Sequence, residues 1–363
     1  MIGKTSKLTR ALLWPPAKLY EMAVRARVAA YETEYLKPAR LDATVIGVGN
    51  ITLGGTGKTP LVEYIARYLK DEGHSVAILT RGYGRRSRGR LVLNRAAAGN
   101  SKLGDDAARH PTLGFREFGD EPLMLARNLP DIPIIIDRNR YEAGRWAERE
   151  LGAEVLILDD GYQHLGLARD INILVLDATD PFGGFAMVPF GRLREPLYAI
   201  RRADAVIVTR ADRPFDQAQT GAIIKYFCGE QVPVMYAGSS ITALRHLATG
   251  VGYDAAHFRG WNSAVVCGIG NPTAFSDDLL QIGINIVSES FFGDHHEFTR
   301  EDLERVTRAA RDAGADAIVT TEKDAVRLDG LIQGDVPIYA ARLEIESDDQ
   351  VRLKSLLLRS LTK

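Results

Sequence analysis

Only two cysteines occur in 363 residues, Cys228 and Cys267, far apart and at no metal-ligand spacing. That excludes a disulfide framework and a cysteine-based metal site, and it suits a reducing cytosol. No apolar run approaches the ~20 residues that a membrane-spanning helix needs. The nearest approach, residues 11–17, is broken by Pro15-Pro16. Lys4, Lys7 and Arg10 precede it in the manner of a secretory signal, but the long apolar core and the small-residue cleavage site of such a signal are missing. Charge bias is also missing: the formal net charge is −1, so no global field points to nucleic acid. Internal repeats and low-complexity tracts are absent. What remains is an ordinary globular composition, 45% hydrophobic and 26% charged. The length suggests two domains at roughly 150 residues each, each with its own core.

The first 40 residues stand apart. Eight Lys or Arg against three Glu give them a local charge of +5. Leu12, Leu13, Trp14, Leu19, Tyr20, Met22, Val24 and Val28 supply apolar surface among those charges. The pattern predicts one helix over about residues 17–35, entered through the two prolines. Two readings stay open: a helix packed on the core with a solvated basic face, or an amphipathic segment resting on an anionic membrane.

From residue 44 onward, short β-rich apolar runs alternate with helical stretches. The runs are 44–48, 76–80, 132–136, 155–158, 171–176 and 205–208, with helices over 61–72 and 141–151. A second set follows position 234, with strands at 263–267, 284–288, 317–319 and 336–340. Its helices cover about 273–282 and the stretch after Thr299, where Thr299 and Asp302 have the spacing of a capping box. The fold class is therefore α/β: a mainly parallel sheet with helices on both faces, followed by a smaller α/β domain. The expected division is 1–41, 42–235 and 236–363.

Gly54-Gly55-Thr56-Gly57-Lys58-Thr59 lies between an apolar strand and a helix, the setting of a phosphate-binding loop. Glycines let the backbone wrap phosphate oxygens, and the helix N-terminus adds partial positive charge. Lys58 would reach the β- and γ-phosphates of ATP and Thr59 would bind Mg2+. Thr52 stands where the usual loop has its first glycine. A metal partner is offered by Asp159, which ends the apolar run 155–158 and is followed by Asp160.

Four further segments bear on the acceptor. Gly119-Asp120-Glu121-Pro122 opens an apolar helix, either as a simple cap or as a general base for a hydroxyl. Asp294-His295-His296-Glu297 could orient an acid–base partner, although it lacks the His-Glu-x-x-His zinc spacing. Gly161-Tyr162-Gln163-His164 carries polar groups suited to a sugar. Arg81, Arg85, Arg86, Arg88, Arg90 and Arg95 form a basic run, either solvated or facing an acidic substrate. Thr209-Arg210-Ala211-Asp212 and Thr321-Glu322-Lys323-Asp324 imitate the guanine-recognition motif but lack its Asn.

Taken together, residues 48–60, Thr80-Arg81-Gly82-Tyr83-Gly84-Arg85, Gly119-Asp120-Glu121-Pro122 and Asp159-Asp160-Gly161-Tyr162-Gln163-His164 resemble one family. Leu193-Arg194-Glu195-Pro196 and Thr321-Glu322-Lys323-Asp324 complete the set. The chain is similar, from about 45 to 328, to the tetraacyldisaccharide 4'-kinases, the lipid A 4'-kinase family, whose loop has this Asn-to-Gly-Gly form. The resemblance implies transfer of the ATP γ-phosphate to the 4'-hydroxyl of a tetraacylated glucosamine disaccharide 1-phosphate, giving lipid IVA. It implies a peripheral enzyme at the cytoplasmic face of the Gram-negative inner membrane. The basic N-terminal segment would touch that anionic surface, and no nucleic acid or protein partner is indicated. By matching positions, Asp120 would be the base, supported by His295 beside Asp294. Glu121, Asp159 and Thr59 would organise Mg2+, and Gly54, Gly55, Thr56, Gly57, Lys58 and Thr59 would hold ATP. Arg81, Gly82, Tyr83, Asp160, Gln163 and His164 would face the sugar. Arg194 and the 81–95 cluster are candidates for the 1-phosphate. The base on one domain and the histidine on the other would assemble as the smaller domain closes. The competing readings are a P-loop kinase for a soluble sugar or cofactor and a nucleotide-switched binding protein.

Overall fold

A computed structural model of the chain describes residues 7–94, 111–332, 334–347 and 349–361. Lys4 and Arg95 lie outside them. The first half contains α1 (Lys7–Glu32), β1 (Thr44–Gly49), α2 (Lys58–Asp71), β2 (Val76–Thr80), β3 (Leu91–Leu93), α3 (Pro111–Phe118) and α4 (Asp120–Asn128). It continues through β4 (Ile134–Ile136), α5 (Arg140–Leu151), β5 (Val155–Asp159), β6 (Ile171–Asp177), β7 (Ala205–Thr209) and α6 (Gln217–Cys228). The second half contains β8 (Val234–His246), β9 (Gly252–Asp254), β10 (Asn262–Cys267), α7 (Pro272–Gln281), β11 (Asn285–Phe291) and α8 (Arg300–Asp312). It ends with β12 (Ala317–Thr321), α9 (Glu322–Leu328), β13 (Ile338–Glu346) and α10 (Gln350–Leu361).

The strands form one twisted mixed sheet in the order β11-β10-β12-β13-β8-β7-β6-β1-β5-β2-β4-β3, with β9 on β8. Its central strands β1, β5, β6, β2 and β7 pair in parallel and are buried along their length. Near-continuous Val/Ile/Leu runs are what such doubly covered strands require. Ile46 and Val48 point toward α2 and α4, whereas Val45 and Ala77 point toward α5. β4 starts at Ile134, two residues later than expected, because Pro133 has no N–H to donate to the ladder.

The two halves are joined through β8. Its first residues pair in parallel with β7, and the remainder pairs antiparallel with β13. The expected boundary at 235/236 therefore falls inside an unbroken strand. α10 also returns to the first half, where Leu353 and Leu357 pack with Ile207, Met235 and Ala237. In the second half, the capping box forms: Thr299 and Asp302 each bond the other's backbone N–H at 3.1 Å.

α1 begins earlier than the sequence suggests, with Pro15 and Pro16 inside it. Each proline removes one backbone donor, but the flanking Leu, Ala, Arg and Lys are strong helix formers. Ala17 and Val28 are buried against the body, while Trp14 (55%), Leu19 (68%) and Met22 (65%) are exposed. At 100° per residue Leu19 and Met22 lie on the side of α1 away from Ala17 and Val28, and Trp14 lies on the flank between. Among the described residues, no helix is long and apolar enough to cross a membrane.

Candidate active site

β1 ends at Gly49, and the chain turns through residues 50–57 into α2. Gly57, at φ 72°, is the N-cap of α2. At Gly54, φ is 108° and an added Cβ would stand 2.5 Å from the Arg192 guanidinium, so only glycine fits. The buried Asn50 side chain donates to the Thr52 carbonyl at 2.9 Å and the Thr56 hydroxyl at 3.0 Å. That bond, and a bridge from Thr52 to Leu193, explain how the loop keeps its shape with Thr52 in a glycine position. From β7, the Thr209 hydroxyl donates to the Thr56 carbonyl at 2.9 Å, and Arg210 Nη1 donates to the Gly55 carbonyl at 3.0 Å while pairing with Asp177. The Thr209-Arg210 pair, which imitates a guanine-recognition motif in sequence, thus props up the loop. T209V is expected to raise the KM for ATP about 2–10-fold through loss of one neutral hydrogen bond, with kcat less affected. Unchanged nucleotide titration would show that the prop is idle.

β5 delivers the two aspartates. Asp159 is buried, accepts from the Thr80 hydroxyl at 3.2 Å, and is pushed up to about 7 by burial, with Glu121 and Asp160 acting in the same sense. At Asp160 the backbone turns to φ 51°, which brings the side chain round toward the loop. Arg194 grips it as a fork, at 2.8 and 3.0 Å, and Lys58 Nζ is 3.6 Å away. Burial opposes its ionisation, but Lys58 and Arg194 outweigh it and hold Asp160 at about 2. Gln163 donates to the Asn50 carbonyl at 2.7 Å. Asp160, Gln163 and Arg194 therefore brace the phosphate loop with the atoms expected to meet sugar or 1-phosphate.

His164 is lowered from its ordinary 6.5 to about 4, chiefly by burial and then by Arg140 and Arg169. The imidazole is neutral when folded and protonates more readily when unfolded. Stability is therefore full above about 6.5 and falls as pH drops toward about 4, by at most ~1.4 kcal/mol per pH unit. H164N should flatten that window in denaturant titrations. An unchanged slope would remove His164 as its source.

The third element is α4, whose N-cap is Gly119 at φ 93°. Asp120 is its first residue, so it is buried inside the site instead of capping the helix. Asp120 Oδ2 meets His295 Nδ1 at 3.2 Å and is ion-paired with Arg327, which also holds Asp324 at 3.0 Å. Burial opposes ionisation of Asp120, but His295, Arg327 and Lys323 overcome it and hold the carboxyl well below the usual range. His295 Nε2 lies 3.4 Å from Lys323 Nζ and 3.9 Å from Asp294, and the Tyr83 ring stands 5.4 Å from the imidazole. Lys323 also reaches Glu121 at 3.8 Å and Asp294 at 3.7 Å. His296 is turned away, bonded to Asp302 at 2.9 Å and stacked on Phe292. Asp120 and His295 thus meet across the two halves with no further closing movement. Gly82, at φ 66°, is packed against Ile136, and Arg81 and Tyr83 are exposed at the rim. Of the basic run, Arg86 pairs with Glu297 at 3.5 Å and Arg90 with Asp137 at 3.0 Å.

Sequence reasoning did not identify Arg327, nor the part played by Lys323. The only trace was the Thr321-Glu322-Lys323-Asp324 motif, with Arg327 one turn beyond Asp324.

Among the described residues, no group of three or more His, Cys, Asp or Glu side chains gathers on one metal position. Mg2+ asks for less, namely one or two carboxylates with phosphate oxygens and water. Buried Asp159, with Glu121 near it and Lys58 acting on it from the start of α2, offers such oxygens.

The family model for tetraacyldisaccharide-1-P 4'-kinase matches residues 9–362. The chain is 39% identical to the tetraacyldisaccharide 4'-kinase of Geobacter sulfurreducens over 98% of its own length and 94% of the relative's. It is 37% identical to that of Geobacter metallireducens, over 97% and 98%. Among solved structures, it is similar to the apo-form LpxK from Aquifex aeolicus in complex with ATP. The TM-score is 0.73 at 31% identity, covering 97% of this chain and 99% of that one. The phosphate loop on α2, the acids of β5 and the Asp120–His295 pair thus sit in a chain that belongs, over almost its whole length, to the tetraacyldisaccharide 4'-kinase family.

Proposed function

We propose that this enzyme transfers the γ-phosphate of ATP to the 4'-hydroxyl of tetraacyldisaccharide 1-phosphate, a step of lipid A biosynthesis. The observation that carries the reading is the meeting of Asp120 and His295 beside the acids and the phosphate loop of a family member. Lys58 and the backbone of residues 54–59 hold the phosphates. Thr59, Asp159 and Glu121 would hold Mg2+, which when bound neutralises phosphate charge. The proton of the 4'-hydroxyl passes to the Asp120–His295 pair as its oxygen bonds phosphorus, and ADP leaves. Lys323, between Glu121 and His295, adds positive charge where negative charge develops. Tyr83, Arg81, Gly82 and His164 line the acceptor side, with Asp160 and Gln163 bracing from behind.

A second assignment within the pair rests on the low basicity of Asp120. A carboxylate so firmly paired accepts a proton poorly, and His295 Nε2 is the more exposed end. Asp120 would then orient the imidazole, as buried carboxylates do in hydrolytic triads. If Asp120 takes the proton, H295N costs less than D120N; if His295 does, it costs at least as much.

The test is transfer of label from γ-labelled ATP to tetraacyldisaccharide 1-phosphate in detergent micelles. Labelled lipid supports the reading. ATP binding without labelled lipid would redirect it to a soluble acceptor, or to a nucleotide-switched binder if no acceptor raises turnover.

Peripheral attachment to an anionic cytoplasmic leaflet is supported by α1. Its Val24 packs beside Ile51 and Leu193, and Tyr20 donates to the Arg194 carbonyl at 3.0 Å, while Trp14, Leu19 and Met22 face outward. Replacing those three by Ser is expected to weaken binding to anionic vesicles at least about tenfold. Equal partition of variant and parent would refute the membrane role.

A further inference from the structure

Away from the reacting groups, two buried or partly buried carboxylates face one another. Glu63, 5% exposed, lies on α2 four residues after Thr59. Glu322 opens α9, next to Lys323 and five residues before Arg327. Burial raises Glu63 to about 7, and burial also raises Glu322. Between them stands Asn128, the last residue of α4, whose first residue is Asp120. The Asn128 amide donates one proton to Glu63 Oε1 at 2.9 Å and the other to Glu322 Oε2 at 3.0 Å. Arg67 Nη2 donates to Glu63 Oε2 and to the Asn128 carbonyl, both at 3.1 Å. Arg342 and Arg245 add positive charge from β13 and β8.

The position of this contact gives it meaning. Each of the three helices it joins carries part of the reaction: α2 the phosphate-binding Lys58 and Thr59, α4 the proton-accepting Asp120, and α9 Lys323 and Arg327. A helix is stiff along its axis, so fixing one end of α4 fixes the other. Phosphoryl transfer depends on alignment of acceptor and phosphate, and a shift of about 1 Å can cost on the order of 10²-fold. A primary amide offers two donors to two carboxylates at once without adding a charge.

We propose that Asn128 is a positioning residue for phosphoryl transfer, tying the phosphate-loop helix, the base-bearing helix and the Lys323/Arg327 helix into one register through Glu63 and Glu322. The inference rests on the roles proposed above for Asp120 and Lys58. It touches neither substrate nor nucleotide, so its signature is a fall in kcat with the KM for ATP unchanged.

The test is kinetic, per folded molecule as counted by bound nucleotide. N128D keeps the shape but removes both donors. Its kcat is expected to fall roughly 10–100-fold, with the KM for ATP within about threefold, and to recover only in part as acid returns one O–H donor to the new carboxyl. The triple variant E63Q/N128D/E322Q exchanges donors for acceptors, because the carboxylate at 128 then receives two amides. It is expected to return kcat to within about fivefold of wild type. Should N128D fail to fold, the triple variant carries the test alone. Wild-type kcat in N128D, a loss expressed only as lower melting temperature, or no recovery in the triple variant would each overturn the proposal. A wild type that forms no labelled lipid would defeat the kinase reading instead; D120N alongside separates the two failures.

Discussion

D120N is expected to lower kcat for lipid phosphorylation by roughly 10²–10⁴, the usual contribution of a general base, with the KM for ATP changed less than about threefold. The substitution is nearly isosteric. Its single amide oxygen still accepts from Arg327, as Oδ2 does in the parent, while the bond from the Glu121 N–H to Oδ1, 3.0 Å in the parent, is given up. What is lost is the ability to hold a proton or to fix the His295 tautomer. The proposed ATP contacts are made from α2 and the loop before it, so binding is expected to survive. The measurement is labelled-lipid formation beside nucleotide titration and a melting curve. A folded D120N with parental turnover would remove Asp120 from the proton path, and with it the main reason for placing the acceptor hydroxyl there.

R327M is expected to destabilise the protein by about 3–5 kcal/mol, the cost of deleting one partner of a buried ionic cluster. Arg327 is 3% exposed and holds both Asp120 and Asp324, from the two halves, so its loss takes a buried ion-pair partner from each carboxylate. For a chain of 363 residues that is roughly 4–7 °C in melting temperature. The pH dependence has a definite sign. Asp120 has its folded pKa depressed, so the stability it contributes is present above its ordinary 3.8 and is lost as pH falls below that value. Removing Arg327 relaxes the depression, so the gap between R327M and the parent narrows toward acid. The double variant D120N/R327M should cost less than the two single changes together, because they share one interaction. A melting temperature within 2 °C of the parent, or strict additivity, would show that the cluster is energetically idle.

How far these sites could be read in advance depends on their range in the chain. The loop proposed to hold phosphate stands out because its parts are local: a strand, glycines, Gly57-Lys58-Thr59 and a helix within about 30 residues. Asp159 and Asp160 were legible as the polar end of an apolar strand, and the Thr299–Asp302 capping box as a three-residue spacing. The different duties of the two aspartates were not. Sequence places both at one strand end, but only the φ of 51° at Asp160 and the Arg194 fork separate a site acid from a brace. The preference for His295 over His296 came from a short match. The structure gives it geometry, because His295 reaches Asp120 while Asp302 and Phe292 hold His296.

The sequence by itself determined the α/β class and the family, and it supplied the candidates for the phosphate-binding loop and the site acids, because each follows from patterns within one element or its flanks. Tertiary structure alone decided the single sheet through β8, the meeting of Asp120 with His295 and Arg327, the Thr209 prop and the Asn128 bridge. Those depend on which strand lies beside which and where helix ends converge. Local periodicity carries no information about partners 175 or 207 positions away.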